Sequence, residues 1–114
     1  MKTNQLIGAA LDWAAAKCEG ENSVASCYYD DDTPLYLDEA LEPTWNPSTN
    51  WAQGGPIIER EKITLEWTGE NWCAYIRHDE EEFGTTPLIA AMRCYVASKL
   101  GDEIEVPEEL WEEA

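Results

Sequence analysis

The sequence has few of the residues that build metal, phosphate or hydrolase sites. Its four cysteines, at positions 18, 27, 73 and 94, are too far apart for a CxxC knuckle, and His78 is the lone histidine, so no zinc site is predicted. No GxxxxGK[ST] or GxGxxG motif marks a nucleotide-binding loop, and no GxSxG motif marks a hydrolase nucleophile. We therefore predict no catalytic residues, no metal and no cofactor.

Long apolar runs are missing as well. No stretch approaches the roughly 18 apolar residues that span a bilayer. Lys2 is followed only by short apolar pieces that Gly8 and Asp12 interrupt, which is not the pattern of a signal peptide. We expect an intracellular protein without membrane contact, in which the thiols stay reduced and act as small, mostly buried apolar residues.

Basic residues are scarce, since seven Lys and Arg oppose 24 Asp and Glu, for a formal net charge of −17. Such a chain repels nucleic acid and anionic membranes, and a basic partner or mimicry of nucleic acid becomes conceivable. Residues 28–44 hold six acids and residues 101–114 hold seven, with no base in either, whereas residues 51–100 hold eight acids and five bases. This distribution favours acidic flanks around a nearly balanced core over a continuous DNA-like surface.

Local patterns predict a single α+β domain, residues 1–114, in which an antiparallel β-hairpin or sheet packs against two helices. Residues 4–18 fit a surface helix with one buried face that ends at Gly20. The alternation of residues 63–67 predicts a strand that pairs with residues 72–77 through a turn at 68–71.

The second predicted helix begins with Thr86 as its N-cap and Pro87 at its first position, and Gly101 ends it. It is apolar nearly all round, which predicts a central position. Arg93 and Lys99 nevertheless fall within its apolar sector. A buried base needs an anion. The sequence leaves open whether that anion is a carboxylate, such as Glu59 or Glu61, or a ligand.

The remaining segments are less regular. Residues 21–56 are predicted to form a long irregular segment, with short strands at 28–29 and 35–37 or a helical turn at 35–41. Residues 54–56, Gly-Gly-Pro, predict a sharp turn, and Ile57 and Ile58 then begin a buried strand. Residues 78–84 are predicted to form a charged loop, and residues 102–114 an acidic tail with a short helix after Pro107.

Four stretches of the chain resemble one known family. LDWAAAKCEG, NPSTNWAQGGPIIEREKI, TPLIAAMRCYVASKLGD and IEVPEEL are similar to the NinX-like family of small tailed-phage accessory proteins, and together they cover roughly half the chain. The family has no established catalytic residues to carry over. The resemblance implies a protein of the host cytoplasm during infection, and small phage accessory proteins often counter host defence.

Such proteins bind a host protein or sequester a nucleotide immune signal, usually within a homo-oligomer. The second mode suits residues of this chain, because tryptophans stack on bases, arginines pair with phosphate, and glycines and helix-start hydroxyls let a ligand approach the backbone. We therefore predict a non-enzymatic protein that sequesters a nucleotide-derived signal, such as a cyclic ADP-ribose variant or a cyclic dinucleotide. The predicted ligand-binding residues are Trp45, Trp51, Gln53, Gly54, Gly55, Arg60, Thr85, Thr86 and Arg93.

Two alternatives remain open. One is an acidic inhibitor or nucleic-acid mimic that binds a host protein, for which the charge of −17 is the motive. The other is an enzyme that degrades the signal, for which no acid–base pair can be identified. Residues 57–67 and 72–77 also provide an edge strand that could pair across a two-fold axis, so a homo-oligomer is expected.

Overall fold

The computed structural model describes residues 1–20, 29–30, 33–34, 45–106 and 108–110. Its helices are α1 (Gly8–Glu19), α2 (Trp51–Glu61) and α3 (Pro87–Leu100), and its strands are β1 (Tyr29–Asp30), β2 (Thr33–Pro34), β3 (Thr64–Trp67), β4 (Trp72–Tyr75) and β5 (Glu82–Gly84). The predicted α+β domain is confirmed. No helix among the described residues is long and apolar enough to cross a membrane.

Helix α3 is the centre of the molecule. It packs against β4 and β5 on one side and against α1 and α2 on others, and most of its residues from Leu88 to Val96 are buried. The predicted caps are confirmed, since Thr86 Oγ1 accepts the N–H of Ile89 at 3.1 Å and Gly101 ends the helix with a φ of 87°. A helix that is apolar nearly all round is stable only when neighbours cover every side.

The sheet is antiparallel, in the order β3-β4-β5. The predicted hairpin is confirmed, with Leu65 opposite Ala74 and a turn closed by the Thr68 N–H donating to Asn71 O at 2.9 Å. The charged loop predicted over residues 78–84 is wrong at its end. Residues 82–84 form β5, in which Phe83 pairs with Cys73 of β4.

Helix α1 differs from the prediction at its start and in its burial. Residues 3–5 form a separate 3₁₀ turn, and α1 begins only at Gly8, whose φ of 58° favours glycine. The predicted surface helix with one buried face is wrong, because every residue from Ala10 to Ala16 is buried. Its many alanines let α3 approach on one side, and Asp12 bonds to residues 45 and 48.

The turn predicted at residues 54–56 is also wrong, because these residues lie inside α2. The last part of the predicted irregular segment, residues 51–56, is therefore helical. Asn50 caps this helix by accepting the N–H of Ala52 at 2.9 Å, and Lys62 ends it in the left-handed region, with a φ of 57°. Ile57 is buried and Ile58 packs against the core, as predicted, but on a helix and not on a strand.

The two ends of the described chain lie together. The Thr3 N–H donates to Asp102 O at 2.8 Å, and Ile104 pairs with Met1, so the start of the predicted acidic tail is held to the N-terminus. Residues 108–110 form a 3₁₀ turn where a short helix was predicted. Within the predicted irregular segment, β1 and β2 form a two-residue ladder. The strand or helical turn predicted within residues 35–41 lies outside the described residues.

Candidate functional site

A cavity of about 240 Å³ opens where the N-terminal ends of α2 and α3 meet, and we call it the α2–α3 cleft. Trp51 forms one wall with 55% of its surface exposed. Thr86 stands at the start of α3 on the opposite side. Two of the residues predicted to bind a ligand, far apart in sequence, therefore line one cleft. Its lining residues are Ser48, Thr49, Trp51, Thr86, Pro87, Leu88 and Ile89.

Gly54 sets how closely the two helices approach. A Cβ at this position would stand 2.6 Å from Leu88 Cδ2 and 2.6 Å from Pro47 O, so only glycine fits without a shift. Its N–H donates to Asn50 O at 2.9 Å within the helix. Gly54 and Gly55, which were predicted to let a ligand approach the backbone, are therefore part of a helix, and the backbone at Gly54 is covered by Pro47 and Leu88. A Cβ at Gly55 would meet nothing within 4 Å.

The turn at residues 45–50 forms the support beneath the cleft, and Asp12 of α1 holds it. The Trp45 indole N–H donates to Asp12 O at 2.9 Å, and the Ser48 N–H donates to Asp12 Oδ1 at 2.8 Å. Gln53 Oε1 accepts the N–H of Asn46 at 2.6 Å. Trp45 is buried. Trp45 and Gln53 thus shape the turn from within, and Asp12, which the sequence did not single out, fixes it in place.

Arg60 lies at the other end of α2, away from the cleft, in an ion cluster at the C-terminal ends of three helices. Its Nη2 contacts Glu19 Oε2 at 3.0 Å and donates to the Tyr95 hydroxyl at 3.1 Å, and its Nε donates to Glu61 Oε2 at 2.9 Å. Lys99 Nζ contacts the second oxygen of Glu61 at 3.1 Å. The hydrogen bond from Arg60 lowers the pKa of Glu61.

Arg93 has another set of partners. Its Nε donates to Leu6 O at 2.8 Å and its Nη1 donates to Phe83 O at 2.8 Å, so it joins α3 to β5 and to the segment before α1. The carboxylate partner proposed for it, Glu59 or Glu61, is not what it contacts. Burial lowers the pKa of Arg93, while the nearby Glu82 raises it. Backbone carbonyls thus provide acceptors that the sequence pattern does not reveal.

The predicted ligand-binding residues therefore separate into groups. Trp51 and Thr86 line the α2–α3 cleft, and Gly54 lies behind its wall. Trp45 and Gln53 form part of the supporting turn. Gly55 lies on the open side of α2, and Thr85 is exposed beside Thr86. Arg60 and Arg93 lie in two other clusters.

A second cavity, of about 500 Å³, lies along the C-terminal half of α3, and we call it the acidic groove. Carboxylates form its walls, and none of its lining residues is basic. Among them is Glu82, whose pKa is raised by burial and by the neighbouring Asp102. The residues that line the acidic groove are Ile76, Asp79, Glu80, Glu81, Glu82, Cys94, Ala97, Ser98, Gly101 and Asp102.

The acidic groove continues into a neighbouring cavity of about 400 Å³, which shares Glu82 and Asp102 and adds Lys2 and Glu103. From the sequence, these acids were predicted to lie in a charged loop and in an acidic tail. The acidic run at residues 79–82 can be seen in the sequence, but only the fold brings Asp102 close to it. Among the described residues, no group of three His, Cys, Asp or Glu residues is arranged to hold a metal ion.

The comparisons with known proteins agree with the resemblance seen in the sequence. No curated protein matches the chain. The family model described as Bacteriophage P22, NinX matches residues 2–99, which include α1, α2, the sheet and nearly all of α3. The α2–α3 cleft lies entirely within the matched region, and the acidic groove lies within it except for its last residues. The chain therefore belongs to the NinX family of bacteriophage proteins.

Proposed function

We propose that this phage accessory protein works in the host cytoplasm by binding a basic surface of a host protein through the acidic groove. The observation that carries the proposal is a cavity of about 500 Å³ whose walls hold five carboxylates and no base. A chain with a net charge of −17 would repel an anion from such a cavity and attract a cation.

The electrostatics of Glu82 support this direction. Its pKa is raised because burial and Asp102 disfavour the charged form more than the nearby Arg93 favours it. An arginine or lysine of a partner would relieve the repulsion between Glu82 and Asp102. Binding should therefore be strongest at pH values at which all carboxylates of the groove are ionised. Charged contacts of this kind speed association and fix partner choice, and they weaken as salt is added.

The test is capture of a partner from host lysate with two variants of equal net charge. In the groove variant, Glu80, Glu82 and Asp102 become Gln, Gln and Asn. In the control, three exposed acids outside the groove, Glu59, Glu70 and Glu105, become Gln. We expect one dominant basic protein that the parent and the control capture in a salt-sensitive way and the groove variant does not. Equal loss in both variants would show that net charge alone attracts the protein, and would contradict the proposal.

A second candidate is counter-defence by sequestering a nucleotide-derived immune signal without catalysis. The α2–α3 cleft favours it, because Trp51 offers an exposed ring and the start of α3 offers a helix N-terminus. The side chains of Arg60 and Arg93 already bond to other groups of this chain. Phosphate would therefore be bound by the N-termini of the helices. Calorimetry with cyclic ADP-ribose variants and cyclic dinucleotides tests this candidate. The absence of heat with all of them would exclude it for these ligands.

The same titration samples also test the alternative that the protein is an enzyme. Ligand released from heat-denatured protein should be chemically intact, whereas a degraded product would indicate an enzyme.

We also propose a homo-oligomer, because β3 is an edge of the described sheet and is mostly exposed. Light scattering coupled to size exclusion measures its order, and a monomer at micromolar concentration would contradict it.

A further inference from the structure

Two helix N-termini converge on the α2–α3 cleft. Thr49 and Trp51 come from the start of α2, whose N-cap is Asn50, and Thr86 and Pro87 come from the start of α3. Each N-terminus carries a partial positive charge from the aligned peptide dipoles. Since both face one small cavity, their fields add there and favour an anionic group, even in a protein with a net negative charge.

An unsatisfied hydroxyl lies in the same wall. Ser48 is only 2% exposed, and its Oγ has no hydrogen-bond partner among the described residues. A buried hydroxyl without a partner is uncommon and costly in a native protein. The backbone of Ser48 is held at the same time, because its N–H donates to Asp12 Oδ1. The residue is thus fixed in position in the lining of the cleft, with its side-chain donor and acceptor unused.

The other walls are apolar. Trp51 presents a half-exposed indole, and Pro87, Leu88 and Ile89 complete the surface. A flat ring stacks well on an exposed indole. The volume of about 240 Å³ is at the small end for ligand pockets. It has room for one flat ring with a short anionic arm, and the rest of a larger ligand would extend out of the cleft.

We infer that the α2–α3 cleft binds a small organic anion with a flat ring, of the size of a nucleoside monophosphate. The ring stacks on Trp51, and the anionic group lies between the two helix N-termini and accepts a hydrogen bond from Ser48 Oγ. This inference deepens the second candidate function and rests on it for the choice of nucleotide. It does not depend on the acidic groove, which lies along the C-terminal half of α3 and shares no lining residue with the cleft.

The test follows backbone amide shifts in ¹H–¹⁵N spectra of the full chain. The probes are 5′-AMP, 5′-GMP and indole-3-acetate, which share a flat ring and an anionic group, with adenosine and inorganic phosphate as half-ligands. We expect saturable shifts at Ser48, Trp51 and Leu88 with at least one ring-bearing anion, and at least tenfold weaker binding of both half-ligands.

Three variants locate the site. Ser48→Ala should weaken binding at least fivefold and, because it removes an unsatisfied group, should leave the urea midpoint unchanged or higher. Trp51→Ala should abolish saturable shifts, whereas Trp67→Ala, which removes a tryptophan that is exposed to a similar extent, should leave affinity within twofold.

The outcomes separate the site from the function. Binding of indole-3-acetate alone supports the cleft and counts against a nucleotide. Nucleotide binding that survives both Ser48→Ala and Trp51→Ala overturns the cleft while leaving sequestration possible elsewhere on the protein. No shift with any ring-bearing anion at 10 mM, on the order of the weakest binding of interest, overturns the inference.

Discussion

Gly54 of α2 lies so close to Leu88 of α3 that a Cβ at residue 54 would stand 2.6 Å from Leu88 Cδ2. The same Cβ would stand 2.6 Å from the carbonyl oxygen of Pro47, which is backbone and cannot rotate away. The next glycine, Gly55, has no atom within 4 Å of its Cβ position. Two adjacent glycines of one helix therefore have different roles, and the difference can be measured.

Gly54→Ala should lower the free energy of unfolding by about 1–3 kcal/mol, because the methyl group must push α2 away from Pro47 and Leu88. Gly55→Ala should change it by less than about 1 kcal/mol, because alanine favours the helix and has room, while the ring of Pro56 disfavours a Cβ on the helical residue before it. Urea denaturation of both variants measures the difference. Equal effects of the two substitutions would show that helix propensity, and not close approach, decides the outcome.

Asp12 connects α1 to the turn that supports the cleft. It is only 6% exposed, and its Oδ1 accepts the N–H of Ser48. Asp12→Ala leaves that buried N–H without its acceptor and should cost about 1–3 kcal/mol in unfolding free energy. Asp12→Asn keeps an oxygen in place and should cost less. Hydrogen exchange at the Ser48 amide is the direct readout, and protection that is unchanged in Asp12→Ala would contradict this role.

Sequence was a good guide wherever local chemistry decides the structure. Thr86, Pro87 and Gly101 mark α3 through capping and backbone preferences that act over a few residues. The hairpin follows from alternation around a short turn. These elements were predicted because their signals lie inside the elements themselves.

Helix α2 shows where local signals fail. Gly54, Gly55 and Pro56 argue against a helix in isolation, and tertiary packing overrides them. The spacing of Gly54, Ile57, Ile58 and Glu61 is helical and was a usable signal, but the Gly-Gly-Pro run obscured it. The groups around Arg93 and within the acidic groove depend on residues far apart in sequence, and no local pattern brings them together.

The ion cluster at the helix ends should make stability depend on pH through Glu61. The hydrogen bond from Arg60 lowers the pKa of Glu61 below its ordinary value of 4.5, so the unfolded chain takes up this proton first as the pH falls. The contribution is complete above pH 4.5 and is lost as the pH falls through the lower folded value. Urea midpoints measured from pH 7 to pH 3 should show this loss.

Glu61→Gln removes the dependence and so serves as the test variant. It should be less stable than the parent at pH 7 and converge with it at the acid end of the series. Glu59→Gln, at an exposed position of the same helix, is the matched control and should follow the parent throughout. A constant difference between Glu61→Gln and the parent across the series would mean that packing, and not ionisation, explains the effect.

Glu82 in the acidic groove should act in the opposite direction. Burial and Asp102 raise its pKa above the ordinary 4.5, so the folded protein holds this proton more tightly than the unfolded chain does. Stability therefore falls as the pH rises from 4.5 through the folded value. Glu82→Gln should be more stable than the parent at pH 7, and the gain should fade in acid.

Glu82→Gln should also weaken binding of a basic partner, because it removes a carboxylate that would pair with the partner's arginine or lysine. Glu105→Gln, an exposed acid outside the groove, should change neither property. A gain in stability together with a loss of affinity is what a site that sacrifices stability for function produces. If Glu82→Gln stabilised the protein and left partner affinity unchanged, the groove would be strained for some reason other than binding a cation.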